Sequence, residues 1–79
     1  MHVKIYAPFK VYFDGQAESL SAANDTGPFD ILVGHHNFLS LLKPGLVRVR
    51  SPGKPDFVLN ISRGVMHVKA DQVTVFLDV

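Results

Sequence analysis

Leu46-Val47-Arg48-Val49-Arg50 is the stretch on which the fold class turns. Its alternation puts Val47 and Val49 on one side of an extended chain and Arg48 and Arg50 on the other, a period of two that belongs to strands. On its carboxy-terminal side, Ser51-Pro52-Gly53-Lys54-Pro55 reads as a turn whose two prolines bar ladder hydrogen bonds on their N–H sides. Residues 56–62 return as a strand, Arg63-Gly64 turns into 65–69, and Ala70-Asp71-Gln72 turns again into 73–79. On the amino-terminal side, Pro44-Gly45 closes residues 35–43, the least periodic segment, where Phe38-Leu39-Ser40-Leu41-Leu42 reads either as a helical turn or as an irregular buried crossover.

Further out, Phe29-Asp30-Ile31-Leu32-Val33 reads as a strand ended by Gly34. Before it, Asn24-Asp25-Thr26-Gly27-Pro28 gathers five turn-forming residues into an expected exposed loop. Residues 18–23 form another expected strand. Val11-Tyr12-Phe13 reads as a short strand entering a turn at Asp14-Gly15 that asks for positive φ at Gly15. Residues 2–7 alternate up to Pro8, with Val3 and Ile5 facing the core, and suggest a hairpin with the strand that follows. Eleven Val, three Ile, six Phe and two Tyr against one Glu and five Ala favour pleated structure throughout. Short strands at this spacing predict an all-β sandwich or small barrel.

At 79 residues the chain is one domain, 1–79, with one core, burying roughly 60–65% of its unfolded surface. A net charge of +1 supplies no strong field for polyphosphate or an acidic membrane. The absence of Cys excludes disulfides, Cys-ligated zinc and thiol nucleophiles. No apolar run approaches the ~20 residues that span a bilayer, so direct membrane insertion is not expected.

Chemistry-bearing patterns are thin. His35-His36 is the obvious metal candidate, yet adjacent residues on extended chain point to opposite faces, and nothing brings His2 or His67 to them. Ser62-Arg63-Gly64 is no nucleophile elbow. The acids Asp14, Asp25, Asp56 and Asp71 are spread singly among turns, where Asp is favoured for backbone reasons. No catalytic residue, metal site or cofactor is therefore assigned. Arg48, Arg50 and Lys54 give a nucleic-acid-binding barrel as one alternative, although the aromatics Phe29, Phe57 and Phe76 fall in expected core-facing runs. Two Asn-x-Ser/Thr matches, at Asn24 and Asn60, lack a secretory signal to give them meaning.

Gly27-x-Phe29-x-Ile31-Leu32-x-Gly34-His35 followed by Leu39-x-x-Leu42-Lys43-Pro44-Gly45 resembles the signature of the epsilon subunit of the rotary F-type ATP synthase. Phe13-x-Gly15, Ile61-Ser62-x-Gly64 and Val73-Thr74-Val75-x-x-Asp78 are similar to the amino-terminal domain of that subunit, in the same order, so the resemblance covers essentially the whole chain. It implies a flattened β-sandwich of about ten short strands in a non-catalytic central-stalk subunit. Such a subunit binds the gamma subunit and the ring of c subunits, coupling proton flow to ATP synthesis. Residues His35 and Ser40 map to the gamma-facing side, and Gly27 and Phe29 to a loop facing the c ring. The implied location is peripheral, on the cytoplasmic face of the energy-transducing membrane within the F1 sector, with the domain monomeric in isolation.

The chain departs from the family pattern at several positions. Pro28 stands where an acid is usual, Asp30 where Gly is usual, Val33 for Pro, His36-Asn37 for Ala-Pro, Arg63 for Gly and His67 for Glu. Loss of the acid at Pro28 leaves Asp25 and Asp30 as the charges nearest the tip, and Asp30 asks for a backbone that Asp can adopt. The family continues into a two-helix carboxy-terminal domain where this sequence ends at Val79, so no helical hairpin, inhibitory switch or nucleotide site is expected here. A stand-alone interaction adaptor with the same fold is the other alternative.

Overall fold

A computed structural model describes residues 1–34 and 36–78, and its regular structure is all β. Nine strands run in chain order: β1 (His2–Ala7), β2 (Lys10–Gln16), β3 (Ser19–Asn24), β4 (Gly27–Leu32), β5 (Phe38–Leu42), β6 (Gly45–Arg50), β7 (Phe57–Ile61), β8 (Gly64–Lys69) and β9 (Gln72–Leu77). They form two sheets, a first in the order β2-β1-β9-β8-β5 and a second in the order β4-β3-β6-β7. Neighbours pair antiparallel except β1 and β9, which run parallel with Val3 opposite Val73 and Ile5 opposite Val75.

The alternation seen in sequence becomes the sandwich. From the first sheet Val3, Ile5, Met66, Val68, Val73, Val75 and Leu77 turn inward; from the second come Leu20, Ala22, Ile31, Val47, Val49 and Ile61. All are buried, and together they form one core cluster. Aromatic pairs close both open sides of the sandwich. Phe13 on β2 meets Phe57 on β7 at 5.3 Å between ring centres, and Phe38 on β5 meets Phe29 on β4 at 5.7 Å. Each pair ties an edge strand of one sheet to an edge strand of the other, adding about 0.5–1.5 kcal/mol beyond the area it buries.

Four sequence expectations change. Asp14-Gly15 is no turn: β2 runs through both, with Gly15 opposite Val3 and outside the positive-φ set. Only Asp25 and Thr26 turn between β3 and β4, while Gly27 and Pro28 already pair with Asn24 and Ala23. Pro28 is tolerated because β4 is an edge strand, where a missing N–H breaks no ladder on the open side. Residues 38–42 are a strand, hidden in sequence because Phe38, Leu39, Leu41 and Leu42 make both of its faces apolar. Phe76 lies on the outer face, edge to face with Tyr6 at 5.2 Å. Asp30, by contrast, sits in ordinary strand backbone and receives a 2.6 Å hydrogen bond from the Ser21 hydroxyl, so the usual Gly is dispensable there.

Ile5 is fully buried at the centre of the first sheet, whereas Leu46 is 59% exposed on the outer face of the second. Ile5→Ala is expected to lower the unfolding free energy by about 2–5 kcal/mol through the cavity it opens. Leu46→Ala should change it by less than about 0.5 kcal/mol. Urea titrations read by circular dichroism measure both.

Candidate protein-docking face

The two outer faces of the sandwich differ in kind. On the second sheet the exposed side chains are mixed. Ser21 pairs with Asp30, while Arg48 and Arg50 both reach Asp56, at 4.0 and 3.8 Å, beside isolated apolar residues such as Leu46 and Val58. Phe57 faces Phe13 across the sandwich and Asp56 stands between the two arginines, so the basic stripe lacks the stacking aromatics that a single-strand-binding face needs.

The first sheet carries an unbroken apolar row. Leu41 on β5 lies opposite Val65 on β8, Val65 opposite Phe76 on β9, Phe76 opposite Tyr6 on β1, and Tyr6 opposite Val11 on β2. The row thus crosses all five strands. Leu41 and Leu39 are 72% and 70% exposed, and Val11, Val65 and Phe76 are exposed too. Beside it runs a polar row in register, with His67, Thr74, Lys4 and Asp14 on β8, β9, β1 and β2, and the Lys4 ammonium lies 5.1 Å from the Tyr6 ring centre. Toward the other end of the strands a cavity of about 420 Å³ is lined by Leu41, Leu42, Arg63, Gly64, Val65, Phe76 and Asp78. Gly64 is in the inward phase of β8, and a Cβ there would lie 3.0 Å from the Phe76 carbonyl oxygen and 3.2 Å from the buried Leu77 side chain, so glycine permits the close approach of β8 and β9. Apolar centre with polar rim is the composition of a protein-docking surface, and a contiguous exposed patch of this kind marks such a site.

Residues 1–79 match the family model of the ATP synthase delta/epsilon chain, beta-sandwich domain. The chain belongs to that family. It is 35% identical over 80 residues to the ATP synthase epsilon chain of Laribacter hongkongensis, which covers 100% of this chain and 57% of that one. It is 40% identical over 75 residues to ATP synthase epsilon chain 1 of Methylococcus capsulatus, covering 95% and 54%. The chain therefore spans about half the length of these curated relatives. Two solved assemblies share the fold. One is the Euglena gracilis mitochondrial ATP synthase, OSCP/F1/c-ring, with TM-score 0.86 at 19% identity over 95% of this chain and 48% of that one. The other is the Tetrahymena thermophila mitochondrial ATP synthase central stalk and c-ring, with TM-score 0.79 at 22% identity over 96% and 61%.

Within this delta/epsilon-chain domain the residues singled out by sequence fall as follows. His35 lies outside the described residues. Ser40 sits on β5 between the exposed Leu39 and Leu41, its own hydroxyl accepting a 3.1 Å hydrogen bond from the Asn24 side-chain amide of the other sheet. Gly27 opens β4 at φ 121°, a value that glycine alone adopts readily. Phe29 stands within β4 rather than on a projecting loop, half-buried against Phe38. One residue joins these sites: the Asn24 side-chain oxygen accepts from the Thr26 N–H at 2.9 Å and the Thr26 hydroxyl at 2.6 Å, while its amide reaches Ser40. The β3–β4 turn and β5 are thus one corner of the molecule, reinforced where the Lys43 N–H donates to the Ala23 carbonyl at 2.9 Å. Sequence reasoning missed the apolar row, whose signal was present as apolar residues in the outward phase of five strands. Among the described residues, no helix is long and apolar enough to cross a membrane.

Asn24→Ala removes both the turn acceptor and the cross-sheet donor and is expected to destabilise the domain by about 1–2 kcal/mol. Asn24→Asp keeps the acceptor and should lose less. Denaturant midpoints of the two variants beside Ser40→Ala separate the turn from the cross-sheet bond.

Proposed function

We propose that this domain is a non-catalytic central-stalk domain of an F-type ATP synthase, docking on the gamma subunit through the outer face of its first sheet. The observation that carries the reading is the apolar row from Leu41 to Val11 crossing all five strands. A small all-β domain gains nothing for its own stability by exposing such a row, whereas an obligate partner turns it into buried interface. Family membership supports a partner within the ATP synthase, since the relatives bear the name of ATP synthase epsilon chains.

In this reading β5 is the strand that meets gamma, with Leu39 and Leu41 presenting side chains on either side of Ser40, and with His35 preceding the strand in sequence. The c ring is met by the β3–β4 turn, with Asp25 and Thr26 at the tip, Gly27 setting its backbone and Phe29 bracing it against Phe38. Asn24 couples the two contacts mechanically, because the turn and Ser40 share its side chain. The domain then transmits torque between gamma and the c ring as a rigid wedge, peripheral to the membrane, with proton translocation and ATP synthesis performed by other subunits.

A calorimetric titration against the gamma subunit of the same organism tests this reading. One-to-one binding is expected, weakened at least about tenfold by Leu41→Asp or Val65→Asp, since a buried unpaired charge is heavily penalised. Arg48→Asp, on the second sheet, should leave it unchanged. Loss of binding with Arg48→Asp but not with the other two overturns the assignment of the face.

A further inference from the structure

The outer face of the first sheet divides along its strands. Toward one end lies the apolar row through Phe76, and toward the other lie two polar rows. The nearer polar row joins His67, Thr74, Lys4 and Asp14, and the farther joins Lys69, Gln72, His2 and Gln16, one residue from each of β8, β9, β1 and β2. All eight stand in the outward phase of their strands. Their charges are unevenly matched. Asp14 is hydrogen-bonded to the His2 ring at 2.5 Å, and Asp71 in the β8–β9 turn lies 3.7 Å from the Met1 ammonium. Lys69 and His67 have no hydrogen-bond or ion-pair partner among the described residues, and the Lys4 ammonium rests only on the Tyr6 ring.

His67 is the position on which this imbalance turns. Strands lie about 4.8 Å apart and same-face neighbours along one strand about 7 Å apart, so Lys4, His67 and Lys69 stand within about 12 Å of one another. A Glu at position 67, the residue usual there in the family, would sit beside Lys69 and two strands from Lys4, and would offset both lysines from within the face. With His67 in its place that internal anion is gone, and the two ammonium groups are left to an outside partner.

We propose that Lys4, His67 and Lys69 form a specificity determinant that receives an acidic cluster of the partner protein, set beside the apolar strip that covers Leu41, Val65 and Phe76. The inference rests on the reading that gamma docks on this face, and it adds the chemistry of the surface gamma brings there: apolar residues flanked on one side by Asp or Glu. A net charge of +1 over the chain gives no general pull on polyanions, so the acids have to arrive on a surface that also matches the apolar row. A protein surface does this, whereas a nucleic acid presents phosphates with no apolar strip beside them. Charge matching at the border of an apolar contact sets register and rejects wrong partners more than it adds affinity. A Glu at position 67 would meet the acidic cluster as a like charge, so the one substitution both frees the lysines and removes a repulsive element.

Calorimetric titration against the gamma subunit of the same organism, at about 50 mM and about 500 mM salt, is the direct test. The parent is expected to bind at least about fivefold more weakly at the higher salt, and Lys69→Glu and His67→Glu each at least about tenfold more weakly than the parent at the lower. His67→Lys should bind about two- to threefold more tightly. Arg48→Glu, the same change of charge on the second sheet, should stay within about twofold of the parent. All three side chains are exposed, so the thermal midpoints of the variants should stay close to that of the parent. Lys69 and His67 variants that bind like the parent while Leu41→Asp binds weakly overturn the acidic partner and leave the docking face standing. Tighter binding by Lys69→Glu, the sign a basic partner gives, overturns it too. Failure of the folded parent to bind gamma overturns both readings. Uptake of the domain onto phosphatidylglycerol vesicles that Lys69→Glu abolishes, with gamma binding unmoved by that change, assigns the lysines to a lipid surface and overturns the proposal.

Discussion

The parallel ladder between β1 and β9 is the constraint on which the rest of the molecule depends. It joins the two ends of the chain, places Val3 beside Val73 and Ile5 beside Val75, and buries all four in the middle of the core. Local structure alone would leave two hairpins, β1–β2 and β8–β9, each marginal in water. Pairing their inner strands fuses them into the first sheet, and β5 then adds at the far edge. A five-stranded sheet with one apolar face is wide enough to cover the second sheet, so the core exists only once this long-range contact is made. Its closure spans nearly the whole chain, and folding is expected to be slow for the size of the domain.

How the edges are treated follows from the same geometry. Two open sheets have four edge strands, and in this sandwich they are matched as β2 with β7 and β5 with β4, each match carried by a phenylalanine pair. The Asn24 side chain adds a polar tie at the β5 side, where the apolar edge strand would otherwise be the most prone to pair with another chain. These ties fix β5 in place while leaving Leu39 and Leu41 turned outward. The outer face that results is held by internal supports, and a preorganised face of this kind loses less conformational entropy on binding.

Particular residues show how far sequence reading reaches. Residues 46–50 and 65–69 carry their fate openly, because one phase is apolar and the other polar, and burial follows the phase. Residues 38–42 do not, since a strand that buries one apolar face and exposes Leu39 and Leu41 on the other is apolar on both and mimics a helix or a buried crossover. Phe76 misleads for the same reason: it follows two valines of the core, yet its phase is outward. At Gly15 and Gly27-Pro28, glycine and proline read as turn signals but lie in strands, one inside an edge strand and the others at the start of another edge strand. Glycine and proline mark local conformation, whereas strand membership is decided by the neighbour that the ladder supplies.

Composition, period two and turn spacing determined an all-β fold, a sandwich or a small barrel, because side-chain alternation is a property of each strand by itself. The motif around Gly34 and Pro44-Gly45 pointed to the family. Only the tertiary structure decided which strands are neighbours and which apolar residues line up across them. The row from Leu41 through Val65, Phe76 and Tyr6 to Val11 draws on five strands scattered from residue 6 to residue 76, and no stretch of sequence contains it. Register is a relation between strands, fixed when the two inner faces interdigitate, and so the apolar row on the outer face is written in the packing rather than in any one segment.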